Sequence, residues 1–488
     1  MKRFLTLTLA TLLVASMFGQ GADDAYMYSQ TIYQGTAKAL GMGNALGAVG
    51  GDMTAVCINP AGMGIYRSDE FTTTLNLLDN YHSSTYYGTS HGANKMRLTI
   101  PNIGYVNYKE RSNYRPLRST QFGIGLTRTD DYNIHTRARG INPTSSRIDN
   151  YLSRIDGYSE NDLVDYFPYD IYPAWQTYLI DLYPGDQGEY FNSPVPQGNI
   201  WQGQKNNFRG RSEEWSFAGS ANYRDRLFLG ASVNLTHIKR VGSRVFEESH
   251  PDGTDPDTGF NEWSFSEDLS STGWGCNAKV GFIFHVTPWM RIGGSFHSPS
   301  IYAFEETWQT ETESEIGYVT RKYISQESHY EYTFIKPLRW VGSMAFVIGQ
   351  KGMFSLDAEY TNFGAARFRT AADDDYDYGP TNEQIQGTYG RTFNFRLGTE
   401  WNLYGTYYRL GASYYGSPFG LGESSGSIKK ASCGMSVPVG ESTSFDFAYE
   451  LTYGQNYFFL YDAGELGIEP VAQKQFKSNL AATLKVRF

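Results

Sequence analysis

Hydrophobic and polar residues alternate with a period of two along most of the chain. Near the C-terminus, Phe476, Leu480 and Leu484 share one parity, while Asn479 and Lys485 share the other. Successive side chains of a β-strand point to opposite faces, so this alternation predicts a strand with one apolar and one polar face. The pattern recurs in fourteen segments: 69–78, 97–109, 119–132, 213–224, 227–240, 273–286, 290–305, 336–349, 353–367, 390–402, 406–415, 428–438, 442–453 and 476–488.

The lengths of these segments and of their connections favour a membrane barrel over a soluble sandwich. Most segments are long enough to cross a bilayer, which takes about 9–11 residues, whereas strands of globular proteins average about 5–6. Short connections such as 225–226 and 287–289 alternate with long ones, as turns and loops do in outer-membrane barrels. The long connections are 79–96, 133–212, 241–272, 306–335, 368–389, 416–427 and 454–475, with 133–212 the longest.

These observations predict an all-β fold: a 14-stranded antiparallel transmembrane β-barrel. Lipid contains no water to satisfy the polar groups of an open sheet edge, so the last strand must pair with the first. An even number of strands places both termini on the same side, which we expect to be the periplasmic side.

The N-terminus predicts a secretory signal peptide at residues 1–20. Two basic residues, Lys2 and Arg3, precede an uncharged stretch rich in Leu, Thr and Ala, which are the two characteristic regions of such a peptide. The alternative interpretation is an N-terminal membrane anchor. With the peptide removed, the mature protein is expected to work beyond the cytoplasmic membrane.

Composition limits the function classes. The formal net charge is −10, whereas proteins that bind nucleic acid carry basic patches, so no nucleic-acid partner is expected. The three cysteines, at 57, 276 and 433, show no disulfide framework. The aromatic fraction of 16% fits the interfacial belts of a barrel. The belt residues are expected to be Tyr105, Tyr108, Trp215, Tyr223, Trp289, Trp340, Tyr360, Trp401 and Tyr453.

A segment without strand alternation lies between the signal peptide and the barrel. Residues 34–68 are rich in Gly and Ala, and this predicts a compact segment of one or two short helices. Thr36 is a candidate N-cap, because a hydroxyl can accept a hydrogen bond from the first helical turn. Gly50 and Gly51 are a candidate helix stop.

This segment resembles a known family. The small-residue stretch from Gly35 to Gly51, then Asp52 and the tetrapeptide Asn59-Pro60-Ala61-Gly62 directly before the first strand, is similar to the hatch of FadL-type transporters. That family carries long-chain fatty acids and aromatic hydrocarbons across Gram-negative outer membranes. The alternative interpretation of the tetrapeptide is an ordinary turn, since Asn, Pro and Gly favour turns.

The resemblance implies a domain organisation and a mechanism. Residues 21–68 would form a hatch that plugs the barrel of residues 69–488, and Asn59, Pro60, Ala61 and Gly62 would act in gating. Ligands would be captured by outer loops, held in a pocket above the hatch and released through a side opening in the wall, without an energy source. Long-chain fatty acids are the default ligand, and haem-like or aromatic compounds are alternatives.

Two further sites are hypotheses from the residues themselves. Pro101-Asn102 interrupts the second strand, and because proline lacks a ladder donor, this kink is a candidate border of the wall opening; a simple bulge is the alternative. In the 133–212 connection, Trp175, Tyr178, Leu179 and Ile180 form an apolar run. This run predicts either ligand capture by an exposed loop or a small subdomain that buries these residues in itself.

Titratable residues invite a catalytic or metal interpretation, but their alternation is what any wet barrel interior would show. We therefore expect no enzyme activity, no cofactor and no metal site, and we expect the Asp-rich turn 252–259 to be solvated. The residues in question are His237, Asp252, Asp255, Asp257, His285, Asp357, Glu359, Asp446 and Glu450.

The expected partners follow from the barrel. They are outer-membrane lipid, a hydrophobic small molecule and, during biogenesis, the barrel-insertion machinery, for which the terminal Phe488 resembles a sorting signal. We expect a monomer in the outer membrane of a Gram-negative bacterium. Two other functions stay open on the same scaffold: a structural or partner-binding barrel of a secretion system, and an outer-membrane barrel enzyme.

Overall fold

The computed structural model describes residues 20–111, 115–183, 191–371, 376–462 and 466–488. The predicted signal peptide therefore lies outside the described residues except for Gln20. None of the helices in these ranges is long and apolar enough to cross a membrane.

Fourteen strands form one antiparallel sheet that closes on itself, because Glu70 of the first strand pairs with Arg487 of the last. Several strands are interrupted by a bend and consist of two or three pieces. They are β1 Glu70–Tyr86, β2 Thr89–Glu110, β3 Leu117–Asp131 with Ile134–Asn142, β4 Ile200–Tyr223, β5 Leu227–Ser249, β6 Phe260–Thr287, β7 Met290–His297 with Ser300–Ile316, β8 Val319–Ile324 with Ser328–Lys336 and Arg339–Ile348, β9 Gly352–Asn362 with Arg367–Thr370, β10 Arg391–Leu403, β11 Thr406–Tyr415, β12 Ile428–Val439, β13 Thr443–Phe458 and β14 Val471–Arg487.

Along each strand, the apolar residues of the alternating pattern are exposed and the polar residues are buried. In β10, Phe393, Phe395 and Leu397 are exposed on the outer surface, whereas Asn394 and Arg396 are buried towards the lumen. The 14-stranded barrel is thus confirmed, and each predicted segment falls in one strand. A polar inner face and an apolar outer face are the inverse of a soluble protein and are typical of a barrel that faces lipid.

Several predicted long loops are instead strand. The connections 79–96, 241–272 and 306–335 continue the ladders of their neighbours; the first and third contain two-residue turns, and the second contains the loop 250–259. The prediction was wrong because the outward residues of these extensions are mostly polar, so the apolar alternation stops while the backbone pairing goes on. As a result β6 has 28 residues, whereas β11 has 10.

The aromatic residues expected in interfacial belts mostly lie on the outer surface. Trp215, Trp289 and Trp340 are exposed there. Tyr108 was placed wrongly, because it shares its parity with Gly104 and Val106, which face the lumen.

The N-terminal segment forms short helices inside the barrel. They are α1 Ala22–Ser29, α2 Ala37–Gly41, α3 Met53–Ile58 and a 3₁₀ helix Pro60–Ile65. Thr36 caps α2 as predicted, since its hydroxyl accepts from the amide of Ala39 at 3.2 Å. Gly50 and Gly51 both have φ near +64° and reverse the chain before α3.

Contacts on many strands place this segment in the lumen. The amide of Ala37 donates to Thr483 of β14 at 2.7 Å, and the amide of Gly47 donates to Asp357 of β9 at 3.0 Å. On the other side of the barrel, Ser295 of β7 donates to the carbonyl of Ile58 at 2.7 Å. The segment therefore spans the barrel from wall to wall.

Two further helical regions lie in the loops at the opposite end from the short turns. The connection between β3 and β4 holds α4 Arg147–Arg154, α5 Leu163–Tyr166 and α6 Ile171–Gln176, together with a two-stranded ribbon. Helix α7, Gly379–Thr388, precedes β10.

Close packing of the segment against the wall generates the first prediction. Gly43 has φ +60°, and a Cβ there would lie 2.9 Å from the Leu397 carbonyl oxygen and from the Ala412 amide nitrogen. Gly43→Ala should therefore lower the temperature at which protease cleaves the N-terminal segment, with a loss of roughly 1–3 kcal/mol from overpacking. Gly88→Ala is the matched control, because Gly88 has φ +76° but has open space around it. Equal effects of the two variants would contradict the packing argument.

Candidate functional site: the lumen cavity, the N-terminal segment and the wall

The carboxylate of Asp52 holds the N-terminal segment to the wall. Asp52 is fully buried and accepts from the Thr36 hydroxyl at 2.7 Å and the Thr54 amide at 2.9 Å. Lys485 of β14 donates to it at 3.2 Å and to Asp446 of β13 at 2.9 Å. One lysine thus joins a carboxylate of the segment to a carboxylate of the wall.

The Asn59-Pro60-Ala61-Gly62 element is a second attachment point. Asn59 donates to the carbonyls of Gly47 at 2.8 Å and of Phe282 in β6 at 3.0 Å, and its side-chain oxygen accepts from the Ala61 amide at 3.1 Å. Pro60 opens the 3₁₀ helix, where the amide hydrogen that it lacks is not needed. The carbonyl of Gly62 accepts from the Gly51 amide at 2.9 Å. The four residues therefore fold the segment back on itself against β6, and their part in gating stays a prediction.

The wall has an irregularity at Pro101. Thr74 of β1 pairs with Asn102 and Asn76 pairs with Thr99, so two residues of β2 oppose one of β1. This β-bulge is what the lack of an amide hydrogen on proline favours. The alternative that the sequence left open, a bulge, is thus present at the predicted position.

The same position is where β2 and β3 separate. Within the described ranges, the ladder between these strands ends at Asn102 and Thr127, and residues 89–101 of β2 pair with β1 alone. The side chain of Asn102 donates to the Leu126 carbonyl at 3.1 Å and to the Thr127 hydroxyl at 2.9 Å. Asn102 therefore closes the end of the ladder beside the interruption.

Beyond this point β3 bends inwards to the N-terminal segment. The amide of Ile32 donates to the Thr129 carbonyl at 2.7 Å, and the amide of Gln34 donates to the Arg128 carbonyl at 3.0 Å. The register of β3 on β4 also shifts between Arg128 and Asp130. This bend was not predicted from the sequence, although the polar run Arg128-Thr129-Asp130-Asp131 breaks the alternation there.

Two adjoining cavities lie in the lumen beside α1. Their volumes are about 430 Å³ and about 290 Å³, and both are lined by Asp23, Met27, Phe208, Arg240 and Arg244. The larger one also has aromatic walls from Tyr26, Tyr389, Phe419, Tyr457, Phe458 and Phe459. The larger cavity thus combines aromatic surface with a few charged groups, as small-molecule sites commonly do.

The charges in these cavities are paired. Arg240 donates to Asp24 of α1 at 2.7 Å, and Arg244 lies 3.6 Å from Glu267. Burial is the main cause that raises the pKa of the Asp24 carboxyl, while Arg240 opposes the rise. The cavities thus offer aromatic surface together with compensated charges.

The outer loop between β3 and β4 packs as a small subdomain. Leu179 and Ile180 are fully buried with Ile148 and Tyr151 of α4, against Phe246 of β5 and Trp263 of β6. Capture by Leu179 and Ile180 was therefore the wrong alternative, because these side chains are not accessible.

Tyr178 and Trp175 differ from their buried neighbours. Tyr178 is 52% exposed, and the guanidinium of Arg321 lies over its ring, 4.5 Å from the ring centroid. Trp175 is half-buried against Phe191. Ligand capture by these two residues stays a prediction.

A buried carboxylate fastens this subdomain to the barrel. Glu248 of β5 accepts four hydrogen bonds of 2.6–2.8 Å, from the Ser146 hydroxyl, the Arg147 amide, the Gln202 side chain and the Trp263 indole. Since Ser146 and Arg147 begin α4, the helix is fixed to the wall through its N-terminus.

Other titratable candidates form ion pairs or ring contacts with their neighbours. Glu359 is 3.0 Å from Arg396, and Glu450 is 2.9 Å from Lys430. His237 stacks on Trp274 at the outer surface. In the part of the chain that the structure describes, His, Cys, Asp and Glu do not form groups of three that could hold a metal ion. Phe488 donates its amide to the Asp69 carbonyl at 3.1 Å, and its ring is exposed; its role in sorting stays a prediction.

The Asp52–Lys485 contact generates the second prediction. Asp52→Asn keeps the shape but leaves Lys485 with one carboxylate, so the free energy of local opening should fall by on the order of 3 kcal/mol. Hydrogen–deuterium exchange should rise in peptides that cover 34–58. The control is Glu311→Gln, which removes an exposed pair with Lys322 and should leave exchange in these peptides unchanged, because exposed pairs contribute little to stability. Unchanged exchange in Asp52→Asn would show that the segment is held elsewhere.

Comparison with known proteins shows the fold. No family model and no curated protein matches the sequence. Among solved structures, a FadL homologue of Pseudomonas aeruginosa is similar with a TM-score of 0.60 at 12% identity, over 94% of this chain and 100% of that one. The toluene transporter TodX of Pseudomonas putida has a TM-score of 0.55 at 12% identity, over 94% and 100%. The toluene transporter TbuX of Ralstonia pickettii has a TM-score of 0.52 at 14% identity, over 95% and 100%. The resemblance drawn from the sequence is confirmed in the architecture, and the chain has the fold of the FadL-type barrels.

Proposed function

We propose that this protein is a passive transporter of hydrophobic or amphipathic small molecules in the outer membrane of a Gram-negative bacterium. The observation that carries the proposal is the interruption between β2 and β3, which lies directly beside the N-terminal segment that fills the lumen. The similar solved structures include barrels described as toluene transporters. Transport rather than catalysis is proposed on these grounds.

The proposed route begins at the outer end. A ligand enters the cavities beside α1, where Tyr26, Met27 and Phe208 offer apolar contact. Long-chain fatty acids and aromatic compounds both fit an apolar cavity, and haem-like ligands are a further class. Because the guanidinium groups of Arg240 and Arg244 already face carboxylates, the aromatic walls would supply most of the affinity.

Exit is proposed to be sideways through the wall. The carbonyls of Arg128 and Thr129 accept from the N-terminal segment rather than from β2. A shift of residues 32–34 would break two hydrogen bonds and open a path from the lumen to the lipid beside Pro101. A hydrophobic ligand would follow this path without energy input, because its free energy falls when its apolar surface leaves water.

The proposal also covers the hatch, the orientation of the termini and the assembly of the barrel. Residues 21–68 act as the hatch, with Asn59–Gly62 as its fixed end, and both termini face the periplasm. The barrel works as a monomer, and the insertion machinery reads Phe488 during biogenesis.

Filling the cavity should weaken ligand binding. Met27→Trp adds volume where Met27 lines both cavities, so the Kd of cis-parinaric acid, measured by its fluorescence, should rise about ten-fold, and palmitate and toluene should displace the probe from the parent. Met96→Trp is the control, since Met96 is exposed on the outer surface. Equal affinity in Met27→Trp and the parent would place the ligand outside these cavities.

Restoring a backbone donor at the interruption should slow release. Pro101→Ala gives β2 the amide hydrogen that the bulge lacks, so uptake of radiolabelled palmitate or toluene by whole cells is expected to fall several-fold at equal surface levels. Pro438→Ala, in β12, is the control. Unchanged uptake in Pro101→Ala would contradict exit beside this residue, and absent uptake by the parent protein would contradict the transporter itself.

A further inference from the structure

The outer wall carries a groove beside the point where β2 and β3 separate. It has a volume of about 710 Å³ and crosses the outward faces of β4, β5, β6 and β7, with residues 95–97 of β2 at one end. The groove opens away from the lumen, because its members Arg209 and Asp268 belong to the outward parity of their strands.

The groove lies directly beyond an apolar strip of the same strands. Trp215, Leu235, Cys276 and Ile301 stand in register across β4 to β7 and are exposed. Towards the end with the long loops the outward residues become polar. The successive rows are Arg211, Lys239, Thr272, Glu305; then Arg209, Val241, Ser270, Thr307; then Asn207, Ser243, Asp268, Gln309. The groove therefore sits where the surface changes from lipid-facing to water-facing.

Positive charge is concentrated at one end of the groove and in the row of residues between it and the apolar strip. Arg211 and Lys239 are direct cross-strand partners, and Arg209 follows two residues further along β4. Like charges directly opposite each other are destabilising unless an anion lies between them. Glu213 pairs with Arg211 at 2.8 Å but is shared with Arg128 at 3.4 Å.

Strand β2 adds two further cations to this end. Lys95 donates to the Asn207 side chain at 3.0 Å and to the Phe208 carbonyl at 3.3 Å, and Arg97 donates to Asn133. Their hydrogen-bond partners are neutral oxygens. This basic end stands out on a chain with a net charge of −10.

The floor of the groove is neutral and rich in hydrogen-bonding groups. Asn207, Ser243, Ser270, Thr307 and Gln309 line it, and amides and hydroxyls both donate and accept. Sugar hydroxyls do the same. At the far end, Asp268 and Glu327 can accept from hydroxyl groups but would repel a phosphate.

We propose that this groove binds the headgroup of a phosphorylated glycolipid of the outer leaflet. The phosphate lies at Arg209, Arg211 and Lys239, where charge-assisted hydrogen bonds to phosphate are strong. The sugar lies across the neutral floor, and the acyl chains run along the apolar strip. The proposal rests on the outer-membrane location proposed above but not on transport through the lumen.

The test compares the folded barrel in detergent with a triple variant, Arg209→Gln, Arg211→Gln and Lys239→Gln. The probes are a bisphosphorylated, acylated glucosamine disaccharide and its dephosphorylated form, and native mass spectrometry measures the bound lipid. The triple variant should bind the phosphorylated lipid at least ten-fold more weakly, and the parent should prefer it to the dephosphorylated form by a similar factor. The matched control replaces the exposed basic residues Lys351, Arg391 and Lys429 by Gln and should bind as the parent does.

Three outcomes would overturn the proposal. They are equal binding by the triple variant, equal binding of the dephosphorylated lipid, and full displacement by millimolar inorganic phosphate, which would indicate an ion site only. Heat-modified migration on gels shows that each variant is folded. Lipid binding and uptake of palmitate are measured separately on the parent protein, so failure of the lipid site is distinguishable from failure of the transporter proposal.

Discussion

Every backbone N–H and C=O in a wall that faces lipid must find a hydrogen-bond partner within the protein. The ladders between neighbouring strands and the closing pair of β1 and β14 meet this requirement over most of the wall, but the ladder between β2 and β3 stops at Asn102 and Thr127. There the carbonyls of Arg128 and Thr129 accept from Gln34 and Ile32. The N-terminal segment thus completes the wall as well as filling the lumen, so a movement of this segment necessarily changes the wall.

Charge inside the barrel follows the same logic. Carboxylates on the inner face would be costly without partners, since burial penalises an unpaired charge, and the structure places a cation beside each of Asp52, Glu359 and Glu450. Although few residues of the chain are charged, charged and apolar side chains are strongly separated in space. Ion pairs occupy the lumen, apolar side chains cover the outside, and Arg209, Arg211 and Lys239 gather at one place on the outer wall.

The sequence predicted the barrel because lipid-facing side chains must be apolar at every second position, as at Phe393 and Phe395. It could not show how far the strands extend, because outside the lipid the outward residues are polar and the alternation ends. Pro101 marked the irregular ladder, since a missing donor acts locally. The inward bend of β3 depends instead on contact with Ile32 and Gln34, nearly a hundred residues earlier. The burial of Leu179 and Ile180 likewise depends on Phe246 and Trp263, which spacing within the loop does not reveal.

The unequal strand lengths give the barrel a sloping rim. At about 3.3 Å per residue, the chain path of β6, with 28 residues, is roughly 90 Å, and that of β11, with 10 residues, is roughly 30 Å. The helical subdomain stands on the tall side, and the low side supplies Phe419 and Ile428 to the lumen cavity. Less chain therefore surrounds the lumen on the side of β11 and β12 than on the side of β6, and the outer rim is lowest there.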